Sequence, residues 1–183
     1  FQSSITKPGF FKTNSGVWIL SKYPIERQAF ITYKNKTSSD VFAKKGATFL
    51  QLDILNKKIQ IIGTHTQSLN KNVFVRFKQF KQLKTKLLDV YINDTIPQFI
   101  IGDLNSNYYD TVEYNAMIQT LETLPVSFNG EKFSWNGLEN DLANKFSEHS
   151  LETLDYILLR KQHENIAEII STEILKPTKD TCF

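Results

Sequence analysis

The sequence predicts an α/β domain, and three observations carry that expectation. Short apolar runs bounded by turn residues recur along the chain, one long segment repeats its apolar residues at helical spacing, and three of the runs carry a reactive side chain at or near an end. With 183 residues, 40% hydrophobic and 13% aromatic, the chain has the size and material of one domain, expected to span residues 1–183. No repeat, low-complexity tract or linker divides it.

The elements follow in order. The first fifteen residues, through Lys7-Pro8-Gly9 and Asn14-Ser15-Gly16, read as a loop. Residues 17–21 form a compact apolar strand stopped by Tyr23-Pro24, and 29–33 a second one before a polar loop, 34–40. Residues 47–54 alternate as a half-buried strand does, and Asn56-Lys57-Lys58 separates them from 59–65, so the pair reads as a hairpin ending at His65. From 72 to 91 the residues Val73, Phe77, Phe80, Leu83, Leu87, Leu88 and Tyr91 recur at helical spacing with lysines on the other face. A shorter helix carries Tyr114, Met117, Ile118 and Leu121 and stops before Pro125. Residues 132–137 are strand-like, 138–150 polar and irregular, 154–159 another strand, and 166–175 a last strand ambiguous with a helix.

Composition excludes more than it names. A net charge of +3 does not announce a nucleic-acid binder, and no apolar run is long enough to span a bilayer. Cys182 is the only cysteine, so the chain has no internal disulfide and no cysteine-based zinc site.

The most informative stretch is 98–105. Phe99, Ile100 and Ile101 form a buried strand, Gly102 lets the backbone turn, and Asp103 and Asn105 follow two residues apart on one face. An acid and an amide so placed can hold a hard cation and an oxyanion together, while an Asx-type turn is the alternative reading of the same residues. His65 closes another strand and Asp155 lies inside Leu154-Asp155-Tyr156-Ile157. One His, two Asp and one Asn suit Mg²⁺ or a similar hard metal better than zinc, and metal-assisted phosphate hydrolysis fits the set. Taken singly, His65 could merely satisfy a strand end, Asp155 could be an edge acid facing water, and the lysines of the long helix could be a solvated face.

The order Gly63-Thr64-His65-x-Gln67, Gly102-Asp103-Leu104-Asn105, Ser134-Trp135 and Leu154-Asp155-Tyr156-Ile157 resembles the endonuclease/exonuclease/phosphatase (DNase I-like) superfamily. Within it, the chain looks like a bacterial-type neutral sphingomyelinase. That finer likeness rests on the run 15–25, Lys45-Gly46, Arg76 with Gln79, Glu113-Tyr114, Asn140 and Leu175-Lys176-Pro177. The resemblance implies a four-layer α/β/β/α sandwich of two packed mixed sheets with the active site in a cleft at one edge. It implies that Asp103 orients water near the metal, Asn105 hydrogen-bonds the scissile phosphate, and His65 stabilises or protonates phosphate oxygens. Asp155 resembles the acid that orients a second histidine, Trp135 and Asn140 resemble substrate-binding cleft residues, and Arg76 is a candidate for a bidentate pair with a carboxylate. Asn136 stands where the family usually has an acid.

The implied activity is Mg²⁺- or Mn²⁺-dependent hydrolysis of sphingomyelin to ceramide and phosphocholine, with a phospholipid at a membrane surface as partner and nucleic acid not favoured. A nuclease or other phosphoesterase of the same superfamily, and a catalytically silent structural or binding piece, stay open beside it. The resemblance also implies a secreted protein, although no signal peptide is visible. The family's metal-binding Glu would lie before Phe1 and its Ser-Asp-His segment after Phe183, so the N- and C-terminal parts are expected to be missing or supplied by another chain. On that expectation, the 183-residue chain binds Mg²⁺ weakly and lacks activity alone.

Overall fold

A computed structural model describes residues 1–4, 13–14, 16–146 and 150–175. Five strands form the main sheet, in spatial order β1-β2-β3-β4-β7: β1 (Ile25–Thr32), β2 (Gly46–Ile54), β3 (Lys57–His65), β4 (Gln98–Asp103) and β7 (Asp155–Leu159). The pairs β1–β2, β2–β3 and β4–β7 are antiparallel, whereas β3 and β4 run parallel. A parallel neighbour cannot be reached by a tight turn, and the crossover from β3 to β4 is the long helix. The hairpin between β2 and β3 turns on Leu55 and Asn56, both with positive φ, as a two-residue hairpin requires.

That crossover comprises α1 (Val73–Leu83), a π-helical turn (Lys84–Leu88) and α2 (Asp89–Tyr91), filling the helical span 72–91. Its apolar stripe buries Phe80, Leu83, Leu87 and Leu88 against Phe49, Ile62, Ile100 and Leu158 of the sheet. The second helix, α3 (Thr111–Leu121), is capped by the Asp110 carboxylate, which accepts from Glu113 N at 3.1 Å, and ends at left-handed Glu122. It contributes Tyr114, Met117 and Leu121 to the same core.

The second sheet among the described residues is a ribbon of β5 (Trp135–Asn136) and β6 (Leu151–Glu152), with α4 (Asp141–Phe146) between them. Three expectations are corrected. Residues 17–21 form no ladder strand; they are extended and pair with the chain start through Ser3 N to Ile19 O and Ser21 N to Phe1 O. The stretch 138–150, read as irregular, contains α4, because the Asn140 side chain accepts from Ala143 N and starts a helix. Residues 166–175 form neither strand nor helix: Ile166, Ile170 and Leu175 are exposed, and the backbone makes one bridge, Asn129 with Glu173. The readings on Lys7-Pro8-Gly9, Ser15, Lys176-Pro177 and Cys182 lie outside the described residues.

Topology sets the position of the site. β3 and β4 end where β7 begins, so the loops 33–45, 66–72 and 104–110 all emerge at one edge of the sheet.

Candidate active site

Three chemistry-bearing residues form one row across that edge. His65 pairs with Asp103 across β3–β4, and Asp103 with Asp155 across β4–β7, so all three project from the same face. They share an open cleft of about 310 Å³ whose other wall is Gly16, Val17, Trp18 and Ile19. Gly102 makes the row possible: a Cβ there would lie 2.2 Å from Thr64 O, and its φ is +125°. Only glycine lets β4 approach β3 this closely.

The electrostatics of the row are unfavourable as it stands. Burial, and then the facing Asp155 carboxylate, push the Asp103 carboxyl up to about 6. His65 Nε2 lies 3.5 Å from Asp103 Oδ2, too long for a good hydrogen bond. Burial, and then the Lys45 charge, push His65 down to about 4, so its imidazole is neutral at pH 7. Lys45 Nζ sits 3.0 Å from His65 Nε2. An ammonium only donates, which makes Nε2 the acceptor and places the ring proton on Nδ1.

Lys45 is the site residue least evident from the sequence, where it lies between the polar loop 34–40 and the strand 47–54. It is 5% exposed and donates to Asp40 Oδ2 at 2.9 Å and Thr66 O at 2.7 Å as well as to His65. Burial opposes ionisation of Asp40, yet hydrogen bonds from Ser68 and Lys45 outweigh it and hold its carboxyl below the usual range. The one available signal was Lys45-Gly46, seen only as part of the family likeness.

Asn105 stands past the end of β4, at φ 48°, rather than two residues along a continuous strand with Asp103. Its backbone N donates to Asp103 Oδ1 at 2.8 Å, so the Asx-type turn exists and serves the site by fixing the carboxylate. Asn105 Nδ2 donates to Thr66 O at 3.1 Å; a carbonyl can only accept, which sets the amide's orientation. Thr66 O therefore ties Lys45 and Asn105 together.

Neither Trp135 nor Asn140 is among the described residues that line this cleft. Trp135 Nε1 donates to Ser150 Oγ at 3.1 Å in the small ribbon, and Asn140 caps α4. The ribbon touches the site through Ser134 Oγ, which accepts from Leu154 N and Asp155 N. Arg76 pairs with Glu113, Nε to Oε1 at 2.5 Å and Nη2 to Oε2 at 2.8 Å, fully buried between α1 and α3. His163 is buried at the opposite edge against Gln98 N and Asn93 O, away from Asp155.

Among the described residues no group of three or more His, Cys, Asp and Glu is arranged to hold a metal. The donor chemistry still suits a hard cation. Mg²⁺ keeps several waters and is commonly bound by one or two carboxylates plus substrate phosphate, and here two carboxylates face each other with one resisting ionisation. A divalent ion at Asp103 and Asp155 would relieve that repulsion.

No protein-family model matches the chain. Individual proteins do. Sphingomyelinase C 2 of Leptospira interrogans is 32% identical over 157 residues, covering 82% of this chain and 25% of its own. Phospholipase C of Staphylococcus aureus is 27% identical over 175 residues, covering 91% and 52%. The chain thus spans between a quarter and about half the length of these curated relatives. A β-hairpin deletion mutant of S. aureus beta toxin superposes with a TM-score of 0.84 at 26% identity, covering 93% of this chain and 63% of that one. Truncated TDP2 of Caenorhabditis elegans shares the fold at a TM-score of 0.57 and 21% identity, covering 78% and 55%. The fold and the relatives place the chain in the DNase I-like endonuclease/exonuclease/phosphatase class. Within that class the chain belongs with the bacterial sphingomyelinases, which are its homologues.

Proposed function

We propose that this chain carries the phosphodiesterase site of a divalent-metal-dependent enzyme that hydrolyses sphingomyelin to ceramide and phosphocholine. The observation that carries the reading is the row His65–Asp103–Asp155, with Asn105 beside it, at one end of an open cleft. Two relatives bear the names sphingomyelinase C and phospholipase C, and a beta toxin neighbour, at TM-score 0.83, was crystallised with bound magnesium ions. An extracellular setting fits a protein related to a toxin.

Asp103 and Asp155 would hold Mg²⁺ or Mn²⁺, which when bound polarises a phosphoryl oxygen and neutralises developing charge. The remaining work falls to the chain itself. Asp103, fixed by Asn105 N, orients the attacking water and accepts its proton. His65, neutral with its proton on Nδ1, is a donor for a phosphate oxygen that gathers charge. The Asn105 amide, oriented by Thr66 O, offers its second N–H to the same phosphate. The water oxygen bonds to phosphorus as its proton passes to Asp103, the bond from phosphorus to the ceramide oxygen breaks, phosphocholine is formed, and ceramide leaves as the alcohol with a proton from solvent in the open cleft.

The test is hydrolysis of labelled sphingomyelin by the full-length protein with Mg²⁺, with Mn²⁺ and with chelator, beside Asp103→Asn and Asp155→Asn. Metal-dependent turnover, reduced by about 10²-fold or more in each variant, is the expected result. Plasmid DNA serves as the competing substrate. Faster cleavage of DNA than of sphingomyelin would overturn the substrate assignment.

A further inference from the structure

The two carboxylates of the row are held in different ways. Asp103 Oδ1 accepts from Asn105 N at 2.8 Å, so a hydrogen bond to the carboxylate itself fixes that side chain. Asp155 is exposed, and among the described residues its carboxylate accepts no hydrogen bond. Its position is therefore decided by its backbone.

That backbone enters β7 through a bend. The N–H groups of Leu154 and Asp155, neighbours in the chain, both donate to Ser134 Oγ, at 3.0 and 3.2 Å. Successive N–H groups of a regular strand point to opposite sides, so two that converge on one oxygen mark a break in the extended chain, and β7 starts at the second of them. On its other side the bend is tied to the loop that follows Asp103. Leu104 N donates to Leu154 O at 2.9 Å, Tyr108 N to Thr153 O at 3.0 Å, and Thr153 N to Asn107 Oδ1 at 3.3 Å. Ser134 takes the N–H of Asp155 itself. A hydroxyl oxygen has two acceptor sites, and the short serine side chain presents both of them here. Ser134 is half-buried immediately before β5. In the Ser134-Trp135 pair that the sequence singles out, the tryptophan bonds within the ribbon and the serine reaches the site.

We propose that Ser134 is a positioning residue: its hydroxyl oxygen holds the bend before β7 and so keeps the Asp155 carboxylate opposite Asp103, where the two take up a divalent cation. This rests on the phosphodiesterase reading of the site. In this role Ser134 touches neither substrate nor metal and acts through the backbone of Asp155. Groups that orient metal ligands from outside the coordination sphere commonly account for about 10–100-fold in metal affinity.

The experiment titrates the full-length protein with Mn²⁺ in the absence of lipid and reads the free ion by electron paramagnetic resonance. Ser134→Ala is expected to bind Mn²⁺ about tenfold more weakly than the parent, and Ser134→Thr, which keeps the γ-oxygen, to bind like the parent. Ser150→Ala is the control. It removes the hydrogen bond from Trp135 Nε1 inside the ribbon and leaves Ser134 in place, so it lowers stability without weakening Mn²⁺ binding. Amide hydrogen exchange locates the effect: in Ser134→Ala the Leu154 and Asp155 amides exchange faster, while the later amides of β7 keep their rates. At low Mn²⁺ the turnover of a water-soluble short-chain sphingomyelin analogue by Ser134→Ala falls, and raising Mn²⁺ restores it. Parent-like Mn²⁺ binding in Ser134→Ala, an equal fall in Ser150→Ala, a Ser134→Thr as weak as Ser134→Ala, or faster exchange along the whole of β7 overturns the proposal. A parent that binds Mn²⁺ and cleaves the analogue while Ser134→Ala matches it sinks the role of the serine alone. A parent that binds no Mn²⁺ and cleaves no phosphodiester sinks the phosphodiesterase reading and the role of the serine with it.

Discussion

Asp103 is placed where its own charge is unwelcome, facing Asp155 in a partly desolvated row. A folded-state value near 6 against an ordinary 3.8 means that this group favours folding below about pH 4, and that the contribution is lost as pH rises through 6. Asn cannot ionise. In chelator, Asp103→Asn is therefore expected to be more stable than the parent at pH 7, by about 1 kcal/mol after allowance for solvent screening, with no gain at pH 4. Denaturant melts at the two pH values check it, and a loss of stability at pH 7 would make Asp103 a structural aspartate. Lys45 acts on the other side of the row. Lys45→Met removes the positive neighbour of His65, so the imidazole pKa is expected to rise toward its ordinary range, as ¹H–¹⁵N NMR titration would read. Asp40 is then left buried without its cation, and a loss of about 3 kcal/mol is expected, recovered in part by Asp40→Asn in the same chain.

At the scale of elements, the Arg76–Glu113 pair is the bolt between α1 and α3, and its third nitrogen, Nη1, reaches Gln67 O and Leu69 O in the loop that follows His65. Arg76→Met orphans a buried carboxylate and is expected to cost about 3–5 kcal/mol, whereas Arg76→Met with Glu113→Met costs far less. Urea melts of the single and double variants decide; equal losses would mean that the pair adds nothing by pairing. This bolt was half legible in the sequence: Arg76 stood out as a candidate for a carboxylate, but Glu113 lies 37 residues away on another helix. Strands β2, β3, β4 and β7 were legible because alternation and turn residues are local signals. Residues 166–175 misled because Ile166, Ile169, Ile170 and Leu175 are apolar, yet three of the four are exposed. In the site, His65, Asp103 and Asp155 could be read at strand ends or starts, and the topology supplied their common row. The burial of Lys45 could not be read, since it depends on Asp40, His65 and Thr66 meeting in space.

For the whole molecule, acidification loads the two edges of the sheet in the same direction through histidine and in the opposite direction through Asp103. His163 is fully buried at the edge away from the cleft, where Nε2–H donates to Asn93 O at 3.0 Å and Nδ1 accepts from Gln98 N at 3.3 Å. Burial, together with nearby Arg160, lowers its pKa despite the favourable bond to Asn93. Protonating Nδ1 would set two N–H groups against each other where β4 begins. His65 at the other edge is lowered as well, to about 4. A histidine whose folded value is depressed contributes stability that is present above its unfolded value of about 6.5 and is lost as pH falls through the folded one. Two histidines of this sign outweigh one aspartate of the other, so in chelator the melting temperature is expected to fall steadily from pH 7 to pH 4. Substituting His163→Gln keeps a side chain able to bond Asn93 O, and it should flatten that slope while lowering the melting temperature at pH 7. The same scan on Asp103→Asn should steepen the slope, because the opposing group is gone. If His163→Gln leaves the slope unchanged, the acid sensitivity resides elsewhere and the buried histidine is no more than a packing residue.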